Sequence, residues 1–114
     1  MEVSNVMEIS KRDWKLFCDK IPEWQERHMD ALLREYVALI NSPGDASVHF
    51  WELEERIKKD KKNPGVQLEL RKSEAVYDIA AFVSQKIISF DDLNEFSEEL
   101  RATVESICNA GMSY

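Results

Sequence analysis

The stretch Ala75-Val76-Tyr77-Asp78-Ile79-Ala80-Ala81-Phe82-Val83 constrains the fold of this 114-residue chain more than any other, because Asp78 is the single charge in an otherwise nearly apolar run. A helix that is apolar on almost every side must be enclosed by other elements. The remaining segments should therefore be amphipathic and cover it. With 44% hydrophobic and 32% charged residues, three glycines and three prolines, the balance is that of an ordered helical domain. A chain of this length buries roughly two thirds of its unfolded surface, enough for one core without disulfides or a metal. The expectation is an all-α, compact bundle of about five helices, with a central apolar helix near residues 64–87.

Punctuation along the chain places the helices. Ser10 and Asp13 have the spacing of a capping box, and Trp14, Phe17, Cys18 and Ile21 recur at helical intervals, which predicts a first helix over residues 11–20. Pro22 is expected to stop it and to open a second helix reaching Ile40, with Met29, Leu32, Leu33, Tyr36, Val37 and Ile40 on one face. Asn41 to Asp45 has turn chemistry throughout. A third helix, capped by Asp45 or Ser47, should turn Phe50, Leu53 and Ile57 inward with Trp51 on its flank. It ends in the basic run Arg56 to Lys62, where cations complement the helix dipole.

Asn63 and Pro64 suit the first positions of the fourth helix. The alternation Val66-Gln67-Leu68-Glu69-Leu70 would also suit a strand, but a lone strand has nothing to pair with. Ser89 and Asp92 form a second capping box and open a fifth helix from Ser89 to Ile107. Its inward stripe is Phe90, Leu93, Phe96, Leu100, Val104, Ile107 and Cys108, and Gly111 stands where a C-terminal cap is needed. A single domain over residues 9–110 is expected between loose tails at 1–8 and 111–114, with Met7 an alternative start.

Net charge is -7 and unevenly spread. Residues 73–114 carry two basic and eight acidic groups, whereas residues 51–72 carry seven and five. Nucleic acid, which rewards basic surface, is therefore not expected as a direct partner of the acidic half. Two cysteines, Cys18 and Cys108, are too few for a disulfide scaffold and read as reduced core thiols. The N-terminal residues lack the apolar run of a signal peptide, and no apolar run approaches the roughly 18 residues of a membrane span. A cytoplasmic location follows as the expectation.

Catalysis and metal binding need convergent groups, and His28 and His49 have no second ligand in a recognised register. Gly44, Gly65 and Gly111 are too far apart for a phosphate-binding loop, no serine sits in a nucleophile elbow, and no calcium loop is present. No enzyme activity, cofactor or metal is expected. Asp78 should reach the rim or find an ion pair. Trp24, off the main stripe of its helix, should pack against the first helix, with Trp14 a candidate neighbour, or else mark an interface. The unbalanced outward face of the last helix, Asp91, Asp92, Glu95, Glu98 and Glu99, is the candidate partner-binding surface, suited to a protein with a basic surface. Carboxylates in a first helical turn also offset the dipole there.

These features point to a small acidic, non-enzymatic interaction or regulatory module. One alternative is an inhibitor of a nucleic-acid enzyme, anti-CRISPR-like, whose carboxylates replace phosphates. Another is a homo-oligomeric structural protein with Trp24 or Trp51 in its interface.

Five stretches also read together as a pattern: Ile9-Ser10-Lys11-Arg12-Asp13-Trp14-Lys15-Leu16-Phe17, Pro22-Glu23-Trp24-Gln25-Glu26, Phe50-Trp51-Glu52-Leu53-Glu54-Glu55-Arg56-Ile57-Lys58, Pro64-Gly65-Val66, and Ile88-Ser89-Phe90-Asp91-Asp92-Leu93. Over residues 8–107 the chain resembles a group of short, uncharacterised all-helical bacterial proteins that sometimes carry a multidrug-transporter label despite lacking membrane spans. The resemblance implies a helical fold and a bacterial cytoplasmic setting. It brings no catalytic or ligand-binding residues.

Overall fold

The structure, a computed structural model, describes residues 8–111. Among these residues there are four α-helices and no strand: α1 Lys11–Asn41, α2 Ala46–Asp60, α3 Ala75–Ser84 and α4 Glu98–Asn109. Short 3-10 turns cover Lys72–Glu74 and Phe90–Leu93. The all-α expectation holds, with four helices in place of about five. The expected tails at 1–8 and 111–114, and the alternative start at Met7, lie outside the described residues except for Glu8 and Gly111.

The first difference is at Pro22, which lies inside α1 instead of ending it. A proline in a helix interior removes one backbone bond and crowds the preceding turn, at a cost of about 3 kcal/mol. Phe17, Ile21 and Trp24 are all buried around it. Each gains about 2 kcal/mol by leaving water, so together they outweigh the proline. Trp24, at 1% exposure, is an interior residue and not a surface one.

Contacts divide the chain into two compact units, the described parts of Met1–Pro22 with Glu69–Tyr114, and Glu23–Leu68. In the first unit α3 supplies the centre: Ala75, Val76, Ile79, Ala80, Ala81 and Phe82 are all buried, as the apolar run requires. α4 lies against α3. At their contact the Cys108 thiol reaches the Ala80 carbonyl at 3.6 Å. Phe17 meets Phe82 edge to face at 6.4 Å, and Leu93, Phe96, Leu100 and Val104 complete this core. Both cysteines are free and half-buried, less deeply placed than core thiols, and burial raises both thiol pKa values.

Residues 64–71 correct the expected extent of the central helix. The Asn63 side chain accepts from Gly65 N–H at 2.7 Å, and its carbonyl accepts from Val66 and Gln67. A single turn is thus nucleated. It does not propagate, and residues 67–71 run without regular structure, neither helix nor strand, until the 3-10 turn at Lys72. Isolated turns are marginal because nucleation fixes several dihedrals for one bond.

The other end of α3 is also earlier than residue 87. Ile87 N–H bonds to the Phe82 carbonyl and Lys86 N–H to Val83, which is a Schellman closure. Lys86 occupies the left-handed position with φ +62°, where a Cβ is strained. Lys86→Gly is expected to stabilise the protein by about 1 kcal/mol, read as a higher Tm in a calorimetric scan. At the end of α4, Gly111 adopts φ +81° and its N–H bonds to the Cys108 carbonyl, as expected of a helix C-terminal glycine.

No helix among the described residues is long and apolar enough to cross a membrane.

Candidate functional site

The expected acidic face is not one helical face. Asp91 and Asp92 lie on the 3-10 turn, Glu95 follows it, and Glu98 and Glu99 open α4. The break has a local cause. Ser97 is the N-cap of α4, its hydroxyl accepting from Leu100 N–H at 3.1 Å, so the chain stops and restarts there. The Ser89–Asp92 capping box forms as expected, with Ser89 N–H donating to Asp92 Oδ2 at 2.8 Å. Glu95 pairs with Lys20, whose hydrogen bond holds its carboxyl below the usual carboxylate range. Two of the five carboxylates therefore serve intramolecular bonds. Asp91, Glu98 and Glu99 remain exposed.

The first capping box is half formed. Ser10 Oγ accepts from Asp13 N–H at 3.1 Å. The Asp13 carboxylate does not return to Ser10; it accepts from Ser97 N–H at 3.0 Å and from Ser97 Oγ at 2.6 Å. Arg12 donates to the Glu95 carbonyl at 2.8 Å beside it. This cluster ties the start of α1 to the start of α4.

Neither histidine meets a carboxylate pair. His49 Nε2 lies 2.9 Å from Ser42 Oγ at the turn before α2. His28 lies so close to Gly65 that a Cβ there would collide with its ring, and its Nε2 is buried without a hydrogen-bond partner. Among the described residues no three His, Cys, Asp or Glu side chains gather to hold a metal.

Asp78 lies half-buried at the rim, one of the two expected outcomes, without an ion pair, and its Oδ2 has no hydrogen-bond partner. Burial, with the Glu74 charge adding to it, pushes its pKa from 3.8 up to about 6. Below pH 3.8 the folded and unfolded chains both keep this proton. Between 3.8 and about 6 only the folded chain keeps it, so stability falls as pH rises through that window and is constant above it. Partial solvent access limits the loss to about 1 kcal/mol. Asp78→Asn is therefore expected to match the parent in Tm at pH 4 and to exceed it at pH 7.5.

The Glu23–Leu68 unit has the opposite character. The second part of α1 and α2 form a helical hairpin, joined side to side by Tyr36 Oη donating to Asp60 at 2.5 Å, Arg56 pairing with Glu35 at 2.7 Å, and Gln25 donating to the Pro64 carbonyl at 3.0 Å. The Arg56 guanidinium also lies 5.5 Å from the centre of the Tyr36 ring. Burial, followed by the hydrogen bond to Asp60, pushes the Tyr36 hydroxyl pKa up to about 12. Part of the basic run is thus structural.

The apolar stripes of this hairpin face water. α2 has no buried residue, and Leu33, Val37, Ile40, Val48, Phe50, Trp51 and Ile57 are exposed, with Phe50 at 64% and Trp51 at 60%. Helical spacing places Met29, Leu33, Val37 and Ile40 on one side of α1, and Phe50, Leu53 and Ile57 on the same side of α2. A groove of about 270 Å³ between them is lined by Met29, Leu33, Tyr36 and Ile57 among others. The expectation that Phe50 and Ile57 point into a core is corrected: periodicity marks one apolar side of a helix but does not supply its cover. Seven charged residues among the fifteen of α2 were the available signal that little of it could be enclosed. No family model, no curated protein and no solved structure matches this chain.

Proposed function

We propose that the chain is a non-enzymatic protein-interaction module that docks through the apolar side of the α1–α2 hairpin. The observation that carries this reading is the exposure of Leu33, Val37 and Ile40 on α1 and of Phe50 and Ile57 on α2, with no residue of α2 buried. Monomeric proteins rarely leave large contiguous apolar patches in water, and such patches mark contact sites. Aromatic residues such as Phe50 are favoured anchors in the centre of protein interfaces. The bacterial cytoplasmic setting that the family resemblance implies would suit such a module.

The acidic set Asp91, Asp92, Glu95, Glu98 and Glu99 has less support as the docking surface, because Asp92 and Glu95 already serve the fold. A photo-crosslinking amino acid placed at Val37 or Phe50 in cells of the source organism tests the choice, with the same probe at Glu99 as comparison. Discrete adducts from Val37 and Phe50 are expected, and none from Glu99. Adducts from Glu99 alone, or from no position, would overturn the reading.

A further inference from the structure

We propose that the occupant of the hairpin face is a second copy of this chain, so that two hairpins stack into a four-helix bundle about a two-fold axis parallel to the helices. This rests on the docking reading above and adds the identity of the partner. A pair of helices forms one layer and cannot surround a core by itself, but two such layers can. The stripe fits that geometry. Met29, Leu33, Val37 and Ile40 on α1, and Phe50, Leu53 and Ile57 on α2, recur at intervals of three and four, the spacing that packs helices at the shallow angle of a bundle.

Charge selects the arrangement of the copies. The bonds from Tyr36 to Asp60 and from Gln25 to Pro64 set the early part of this α1 stretch beside the end of α2. At that end, Glu26 and Asp30 flank the stripe on α1, Asp30 also pairing with Arg34 of its own helix at 2.9 Å, and Lys58 and, just past α2, Lys61 flank the other side, all four exposed. An axis parallel to the helices sets α1 of each copy antiparallel over α2 of the other, and brings the acidic flank over the basic one. An axis across the helices would set α1 over α1 and leave the carboxylates above the turn near Pro43, with no cation supplied by the facing copy. Opposite charges facing across an interface fix register and suppress the alternative. Lys61 also lines the apolar groove beside Ile57, within reach of an acid from the facing copy.

Sedimentation equilibrium of the full chain across the micromolar range is expected to give twice the 13.3 kDa chain mass. Phe50→Asp, and independently Ile57→Asp, should keep the helical circular dichroism and weaken association by about 100-fold, since each buries a charge in the interface. In a Cys18→Ser, Cys108→Ser background, a mixture of Asp30→Cys and Lys61→Cys chains should oxidise to a covalent dimer, and neither chain alone should do so. A dimer in which Asp30→Cys links to itself would overturn the arrangement. A monomer at all concentrations would overturn the proposal. The docking reading would then stand or fall separately, on whether the adducts from Val37 and Phe50 contain another protein or are absent.

Discussion

Asp13→Ala is expected to lower the free energy of unfolding by about 3 kcal/mol, measured by urea or thermal denaturation. Asp13 is wholly buried, and both of its oxygens accept from Ser97. Truncation removes two hydrogen bonds to a carboxylate, each stronger than a neutral one, and leaves the Ser97 N–H without its acceptor. The Ser97 hydroxyl would keep its bond from Leu100 N–H, so α4 retains its cap while losing its attachment to α1. Ser97→Ala alone should cost less, because Asp13 would keep the backbone donor. The double variant should be no worse than about 1 kcal/mol beyond Asp13→Ala, since the two changes share the Asp13–Ser97 contact and the second adds only the loss of the α4 cap.

Phe82→Ala should cost about 4 kcal/mol, whereas Phe50→Ala should change stability by less than about 0.5 kcal/mol. Two phenylalanines in helices of one chain would thus differ by several kcal/mol. Phe82 has no exposed surface and packs edge to face on Phe17, so its loss leaves a cavity beside Phe17. Phe50 is 64% exposed and meets Trp51 at 5.0 Å, a contact made within α2 itself. Equal losses at the two positions, measured as unfolding free energies of monomeric protein, would show that Phe50 is enclosed after all.

The parts of this fold that were legible in the sequence are those decided by local chemistry or by complete apolarity. The run around Ile79 could be accommodated only inside a protein, and it is inside. Ser89 with Asp92, and Gly111 after α4, announce a cap because hydroxyl, carboxylate and left-handed backbone have few other uses at those spacings. Pro22 misled because its penalty is local and the burial that overcomes it is not. Lys86 gave no warning of a helix end, since a lysine in the left-handed region is set by the closure around it and not by its own preference. The candidate site was the least legible part. A stripe such as Leu33, Val37 and Ile40 looks the same in sequence whether or not another helix covers it, because periodicity marks a side and not its cover.

That α2 encloses none of its own side chains frees it from the usual filter on what may stand there. Folding imposes almost no penalty on Ser or Lys at positions 50, 51 and 57, so mutational drift alone would erode Phe50, Trp51 and Ile57 within a lineage. At Ala80, by contrast, any larger residue is rejected by packing whatever the protein is for. Descendants that still carry greasy side chains along α2 would thereby preserve a historical record of contact, written at the positions where the fold itself is indifferent.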